Sequence, residues 1–142
     1  MAIQKISGRC STHMTGISVR FSTITLTQKS RLGDRGYELT EELGIPLVIM
    51  EPVKGGALAS LPQEISVRFT DFDPLCSLAS WALRWVASKP NVKVVLSGMS
   101  TMEQVKDNLD TFTDFTPLSL REKEVVADVA AAIRQRTKNG CT

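Results

Sequence analysis

At 142 residues the chain fits one domain or a piece of a larger one, and 42% hydrophobic with 23% charged residues is enough to bury a core. Its net charge of +2 is far from the basic balance of a dedicated nucleic-acid binder. No apolar run approaches the ~18 residues of a membrane span, and the start "MAIQKISGRC" lacks the apolar core of a signal peptide. Cys10, Cys76 and Cys141 are scattered, odd in number and in no metal-ligand spacing, so a reducing, cytoplasmic setting without structural disulfides is expected.

Residues 1–35 differ in kind from the rest. "HMTGISVRFSTITLTQKS" is rich in Ser and Thr, with a weak alternation across Ile17, Val19 and Phe21 that supports one edge strand or a hairpin and no helix. "GYELTEELG" then reads as a short helix, with Leu39 and Leu43 one turn apart and Gly44 as its stop. "IPLVIM" is continuously apolar and reads as a fully buried strand. A long loop containing "LPQEISVRFTDF" is expected next.

"DPLCSLASWALRWVASKP" reads as a strong helix, with Asp73 as cap, Pro74 in the first turn and Leu75, Leu78, Ala79, Ala82 and Val86 as one apolar stripe. "NVKVVLSG" gives a second buried strand. In "STMEQVKDNL", Ser100 and Glu103 match a capping box, and Met102, Val105 and Leu109 line the expected inner face. In the final helix, "SLREKEVVADVAAAIRQR", Ser119 and Glu122 repeat the box, while Val125, Val126, Val129 and Ile133 form the buried side. Buried strands alternating with helices imply parallel pairing and right-handed crossovers, hence an α/β architecture. Two clear strands are too few for a complete sheet, so a part of a larger assembly is expected.

Obvious catalytic arrangements are missing. His13 is the single histidine and reads as an exposed side chain. "VKGGALA" is no Walker loop, because its lysine precedes the glycines. Trp81 and Trp85, one turn apart, read as packing residues, and Arg84 as a solvated charge. The chemistry-bearing positions are two strand ends, "MEPVKGG" and "SGMST". In parallel α/β folds ligands gather at the carboxyl ends of strands. Gly55 and Gly56 allow close backbone approach to a pyrophosphate, and the helix after Ser100 offers free N–H groups to an anion. The plainer alternative makes Ser100 an N-cap and Gly98 a turn glycine; the recurrence at successive strand ends favours a shared anion site.

"GYELTEELGIPLVIMEPVKGGALA", "SLASWALRW" and "VVLSGMSTMEQVKDNL" together resemble the C-terminal part of an aldo/keto reductase, of the bacterial branch with a trailing iron–sulfur segment. The resemblance covers residues 35–136. It implies part of a (β/α)8 TIM-type barrel binding NADP(H) or NAD(H) across the strand ends, with "LVIMEP" and "VKVVLSG" as the last two barrel strands. It further implies that Met50 lies at the nicotinamide, where the family often stacks an aromatic ring, and that Glu51, Val53 and Gly55 line the pyrophosphate. Gly98, Met99 and Ser100 would meet the adenosine ribose and its phosphate. Gln104, Asp107 and Asn108 would reach the phosphate or the adenine. No Arg or Lys in "SGMST" pairs a 2′-phosphate, so NADPH and NADH stay undecided.

The family's catalytic Asp, Tyr, Lys and His find no match in residues 1–35. Tyr37, the only tyrosine, begins a barrel helix and is not the family's acid. The expectation is a fragment inactive alone, whose parent reduces an aldehyde or ketone. "ISVRFSTITLT", back-translated and read two bases later, can give FCQIQYNYID, which resembles the family's sixth strand; residues 1–30 are therefore expected to be a frameshifted reading. Residues 137–142 form a tail in which Cys141 would be a cluster's first ligand in a longer parent, and one cysteine cannot hold a cluster. Two other readings are a non-catalytic nucleotide- or phosphate-binding module and a structural module that completes a barrel, with self-association through exposed barrel edges. No nucleic-acid or membrane partner is expected.

Overall fold

The computed structural model describes residues 2–4, 19–21 and 31–138. Two short strands come first, β1 (Ala2–Gln4) and β2 (Val19–Phe21), followed by α1 (Arg31–Glu42) and β3 (Leu47–Met50). Two helices follow, α2 (Gln63–Phe72) and α3 (Leu78–Ala87), then β4 (Val92–Leu96), α4 (Met102–Thr113) and α5 (Leu120–Lys138). The sheet order is β1-β4-β3-β2. β2 runs parallel to β3 and β3 parallel to β4, whereas β1 is antiparallel to β4. Among the described residues the sheet does not close on itself.

Helix α1 starts at Arg31, earlier than the expected start at Gly36, because Gly33 and Gly36 weaken the helical propensity of its first half. Its end follows expectation. Gly44 takes φ +65°, and the N–H groups of Gly44 and Ile45 bond back to Glu41 and Thr40 at 3.1 and 2.8 Å. That left-handed cap suits a residue with no Cβ. β3 is not buried on both faces: Leu47 and Ile49 are fully buried, while Val48 and Met50 are half-buried. One face packs on helices and the other is only partly covered.

The segment expected as a loop contains helix α2. Ile65 and Phe69, one turn apart, are its buried stripe, and Pro62 precedes it without a side-chain cap. Helix α3 begins at Ser77 rather than Asp73. The Ser77 hydroxyl accepts from the Ser80 N–H at 2.9 Å, and Leu75 is left 95% exposed. Asp73 instead closes a preceding turn, accepting from the Leu75 N–H at 3.0 Å.

The core has two parts, and α3 serves both. Trp81 and Ala82 pack with Leu58, Phe69, Leu118, Val126 and Val129 between α2, α3 and α5. Leu83, Val86 and Ala87 pack against the sheet residues Leu47, Ile49, Val92 and Val95. Trp81 stacks on Phe69 with ring centroids 4.8 Å apart, as the packing reading of that residue anticipates. Arg84 is not solvated: it is half-buried and bonds Glu122 at 2.6 Å, tying α3 to the start of α5. The Ser119–Glu122 capping box is present, with Ser119 N–H to Glu122 at 2.7 Å and Glu122 N–H to the Ser119 hydroxyl at 3.3 Å. Among the described residues no helix is long and apolar enough to cross a membrane.

Candidate functional site

Met50 lies opposite Leu96 in the parallel pairing of β3 and β4, so the chain leaves the sheet in two adjacent loops at the carboxyl ends of these strands. These are the two loops picked out from the sequence. The first is a succession of tight turns. Lys54 N–H bonds to the Glu51 carbonyl at 2.9 Å, Gly56 N–H to Val53 at 3.1 Å and Ala57 N–H to Lys54 at 3.2 Å. Glu51, Lys54, Gly55 and Gly56 all take positive φ, at 52°, 52°, 61° and 89°. For the two non-glycine residues this costs on the order of 1–2 kcal/mol each, strain that the surrounding turn must hold.

Pro52 is buried and Val53 packs against both core clusters, which anchors the loop from below. Glu51, Lys54 and Gly55 are exposed above it, and Met50 is half-buried. A Cβ built on Gly55 or Gly56 would meet nothing within 4 Å. Their backbone therefore borders open space, the property a group approaching the main chain requires. The turn geometry, rather than crowding, selects glycine here.

The second loop is fixed by α4. Ser97 is buried, and the Asn108 side-chain N–H donates to its hydroxyl at 3.0 Å. Gly98 and Ser100 are exposed and Met99 is half-buried; a Cβ on Gly98 also meets nothing within 4 Å. The capping box lies one residue later than the sequence pattern suggests. Thr101 is the N-cap, and its hydroxyl accepts from the Gln104 N–H at 3.3 Å. The Gln104 side-chain oxygen accepts from the N–H groups of Ser100 and Thr101 at 2.7 and 3.4 Å.

Two consequences bear on anion binding. Two N–H groups at this helix start, those of Ser100 and Thr101, are engaged by the Gln104 side chain. Glu103 adds a carboxylate in the first turn, held below its usual pKa range by its own backbone N–H and then by the Thr101 side chain. Asp107 accepts from the Ser77 hydroxyl at 2.6 Å, and so braces the capping residue of α3. Gln104, Asp107 and Asn108 thus share the face of α4 towards the strand ends, and each is hydrogen-bonded within the chain. Ser77, Ser97 and Thr101 were not singled out from sequence. Ser97, a polar residue ending the apolar run "VKVVL", and Thr101, which with Gln104 fits the capping-box pattern, carry readable signals.

The opposite face of α4 reverses an expectation. Met102 and Leu109 are 75% and 45% exposed, and the buried residue of the helix is Asn108.

The Cys76 thiol and the Tyr37 hydroxyl are each held by a neighbouring carboxylate. The Cys76 thiol donates to Asp73 at 3.1 Å; burial and then Asp73 push its pKa up, which keeps it a thiol. Tyr37 donates to Glu41 at 3.3 Å, with the Lys89 ammonium 4.5 Å from its ring centre. Lys89 precedes β4, so Tyr37 sits by the amino ends of the strands, across the sheet from the two loops. Burial and then Glu41 raise its pKa. His13, Cys10 and Cys141 lie outside the described residues. Among the described residues no group of three His, Cys, Asp or Glu side chains is placed to hold a metal.

Comparison with known proteins gives this geometry a context. The sequence profile of the aldo/keto reductase family matches residues 73–132. No curated protein sequence matches the chain. Among solved structures, the holo form of aldo-keto reductase AKR11C1 from Bacillus halodurans is similar at 21% identity and a TM-score of 0.62, over 80% of this chain and 42% of that one. The thermostable aldo-keto reductase Tm1743, solved with the inhibitor epalrestat, is similar at 20% identity and a TM-score of 0.56, over 71% of this chain and 36% of that one. The fold is thus a part of a (β/α)8 barrel with an unclosed sheet. The chain spans less than half the length of these solved reductases.

Proposed function

From the premise that residues 73–132 are a segment of the aldo/keto reductase family, we propose that this chain supplies the cofactor-facing wall of an NAD(P)H-dependent carbonyl reductase and is inactive alone. The observation that carries the reading is the pairing of the β3 and β4 strand ends beside the open backbone of Gly55 and Gly56. Met50 contacts the nicotinamide through its thioether. Glu51, Val53 and Gly55 line the pyrophosphate, and Gly98, Met99 and Ser100 meet the adenosine ribose and its phosphate. Gln104, Asp107 and Asn108 reach the phosphate or the adenine, exchanging part of their present hydrogen bonds to do so. The nicotinamide supplies the hydride when bound.

Carbonyl reduction also needs a proton donor near the hydride acceptor. The chain's only tyrosine lies at the other end of the strands, which supports inactivity of the chain by itself. Fluorescence titration with NADPH and with NADH tests the binding reading, and an aldehyde-dependent oxidation assay tests the inactivity. We expect saturable binding without turnover. No saturable change, or turnover by the chain alone, would overturn the proposal. Residues 1–30 are on this reading a frameshifted product of a longer gene, which the nucleotide sequence checks: neither shifted frame encoding a barrel strand would sink that idea.

A further inference from the structure

We propose that the second loop selects an adenosine ribose without a 2′-phosphate, so that the site takes NAD(H) in preference to NADP(H). The inference rests on the cofactor reading above and concerns which dinucleotide that wall accepts. A 2′-phosphate carries about two negative charges at pH 7 and offers mainly acceptors. It therefore needs free N–H groups or a cation, and the start of α4 is short of both.

A helix start leaves its first N–H groups without partners inside the helix, and an anion uses these groups. Here the chain engages several of them itself. The Gln104 side-chain oxygen accepts from the Ser100 and Thr101 N–H groups at 2.7 and 3.4 Å. The Thr101 hydroxyl accepts from the Gln104 N–H at 3.3 Å, and the Glu103 N–H serves its own carboxylate. A phosphate would have to displace Gln104, which closes a reciprocal capping box, and would then lie in the same turn as the Glu103 carboxylate.

Charge points the same way. Residues 97–110 hold three carboxylates, Glu103, Asp107 and Asp110, against one cation, Lys106. Lys106 lines a groove with Met102 and Leu109, on the face of α4 turned away from Gln104 and Asn108. Lys54, the cation of the first loop, stands beyond the end of β3 among the residues assigned to the pyrophosphate. A free 2′-hydroxyl meets the opposite chemistry. Its O–H donates to a carboxylate, and Glu103 is exposed in the first turn to accept it. Gly98, where an added Cβ meets nothing within 4 Å, leaves room for the sugar.

The test is calorimetric titration of the full chain with NADH and with NADPH. NADH is expected to bind about tenfold more tightly, with the gap narrowing as salt screens the carboxylates. Gln104→Arg replaces the capping amide by a cation and is expected to narrow the gap about tenfold by tightening NADPH. Glu103→Gln, which keeps the capping box, narrows it by a smaller factor and serves where Gln104→Arg loses helical circular dichroism. NADPH bound as tightly as NADH, or a gap that neither substitution narrows, overturns this inference and leaves the cofactor wall standing. Binding of neither dinucleotide overturns the wall reading and this inference with it.

Discussion

At the scale of single residues, the buried pair Ser97–Asn108 governs the second loop. Asn108 and Ser97 are 4% and 5% exposed, so neither side chain has bulk water to turn to. Asn108→Ala leaves the Ser97 hydroxyl buried without its 3.0 Å partner and is expected to cost about 1–3 kcal/mol, read as a fall in chemical-denaturation midpoint. Adding Ser97→Ala removes the orphaned group, so the second substitution costs less in the Asn108→Ala background than alone; strict additivity would show that the bond does not couple the sites. The strand-end glycines were legible in the sequence because turn glycines advertise themselves. The bonds of Asp107 and Asn108 were not, because a polar face at helical spacing looks the same whether it meets a ligand or its own loop.

Among the elements, the junction of α3 with α5 is one place where pH acts. Burial alone would raise the Glu122 carboxyl, but the Ser119 backbone and hydroxyl bonds and Arg84 outweigh it and hold the pKa below the usual range. A carboxyl lowered in the folded state binds fewer protons there than in the unfolded chain. Its contribution is fully present above the unfolded value near 4.3 and is lost as pH falls through the lower folded one. Thermal melts between about pH 5 and 3 should therefore show a shallower acid loss for Glu122→Gln than for the parent chain. An unchanged slope would remove Glu122 from the acid response. Helix α2 shows how packing decides an element that local signals leave open. Its three scattered β-branched residues, Ile65, Val67 and Thr70, and the missing side-chain cap conceal a two-residue stripe, and Phe69 on Trp81 gives that stripe its seat. Phe69→Ala is expected to cost about 3–5 kcal/mol, while Phe69→Leu, which keeps much of the volume, costs distinctly less. Equal losses would mean that stacking rather than cavity formation is the main effect. The same limit explains α4: periodicity revealed an apolar face, but only the closed ring says whether a neighbour is there to cover it.

For the molecule as a whole, the open sheet is protected by its own first residues. β2 pairs with β3 through Val19↔Leu47, Arg20↔Val48 and Phe21↔Ile49, and β1 pairs with β4 through Ala2↔Leu96, Ile3↔Val95 and Gln4↔Val94. Each cover is three residues long, the short end of strand lengths, yet together they occupy the outer edges of both central strands. Sequence reading allowed an edge strand around Val19, and gave no hint of β1, because three residues carry too little alternation to be read. An uncovered strand edge offers unpaired N–H and C=O groups to another chain. A chain beginning at Arg31 keeps β3, β4 and all five helices but loses both covers. It is expected to associate at concentrations where the full chain does not, with a higher mass by light scattering and no loss of helical circular dichroism. If the shortened chain scatters as the full one does, the edges are not what limits association. The exposed faces of α4 and of α1, where Leu39 is 53% exposed, would then be the surfaces to alter next.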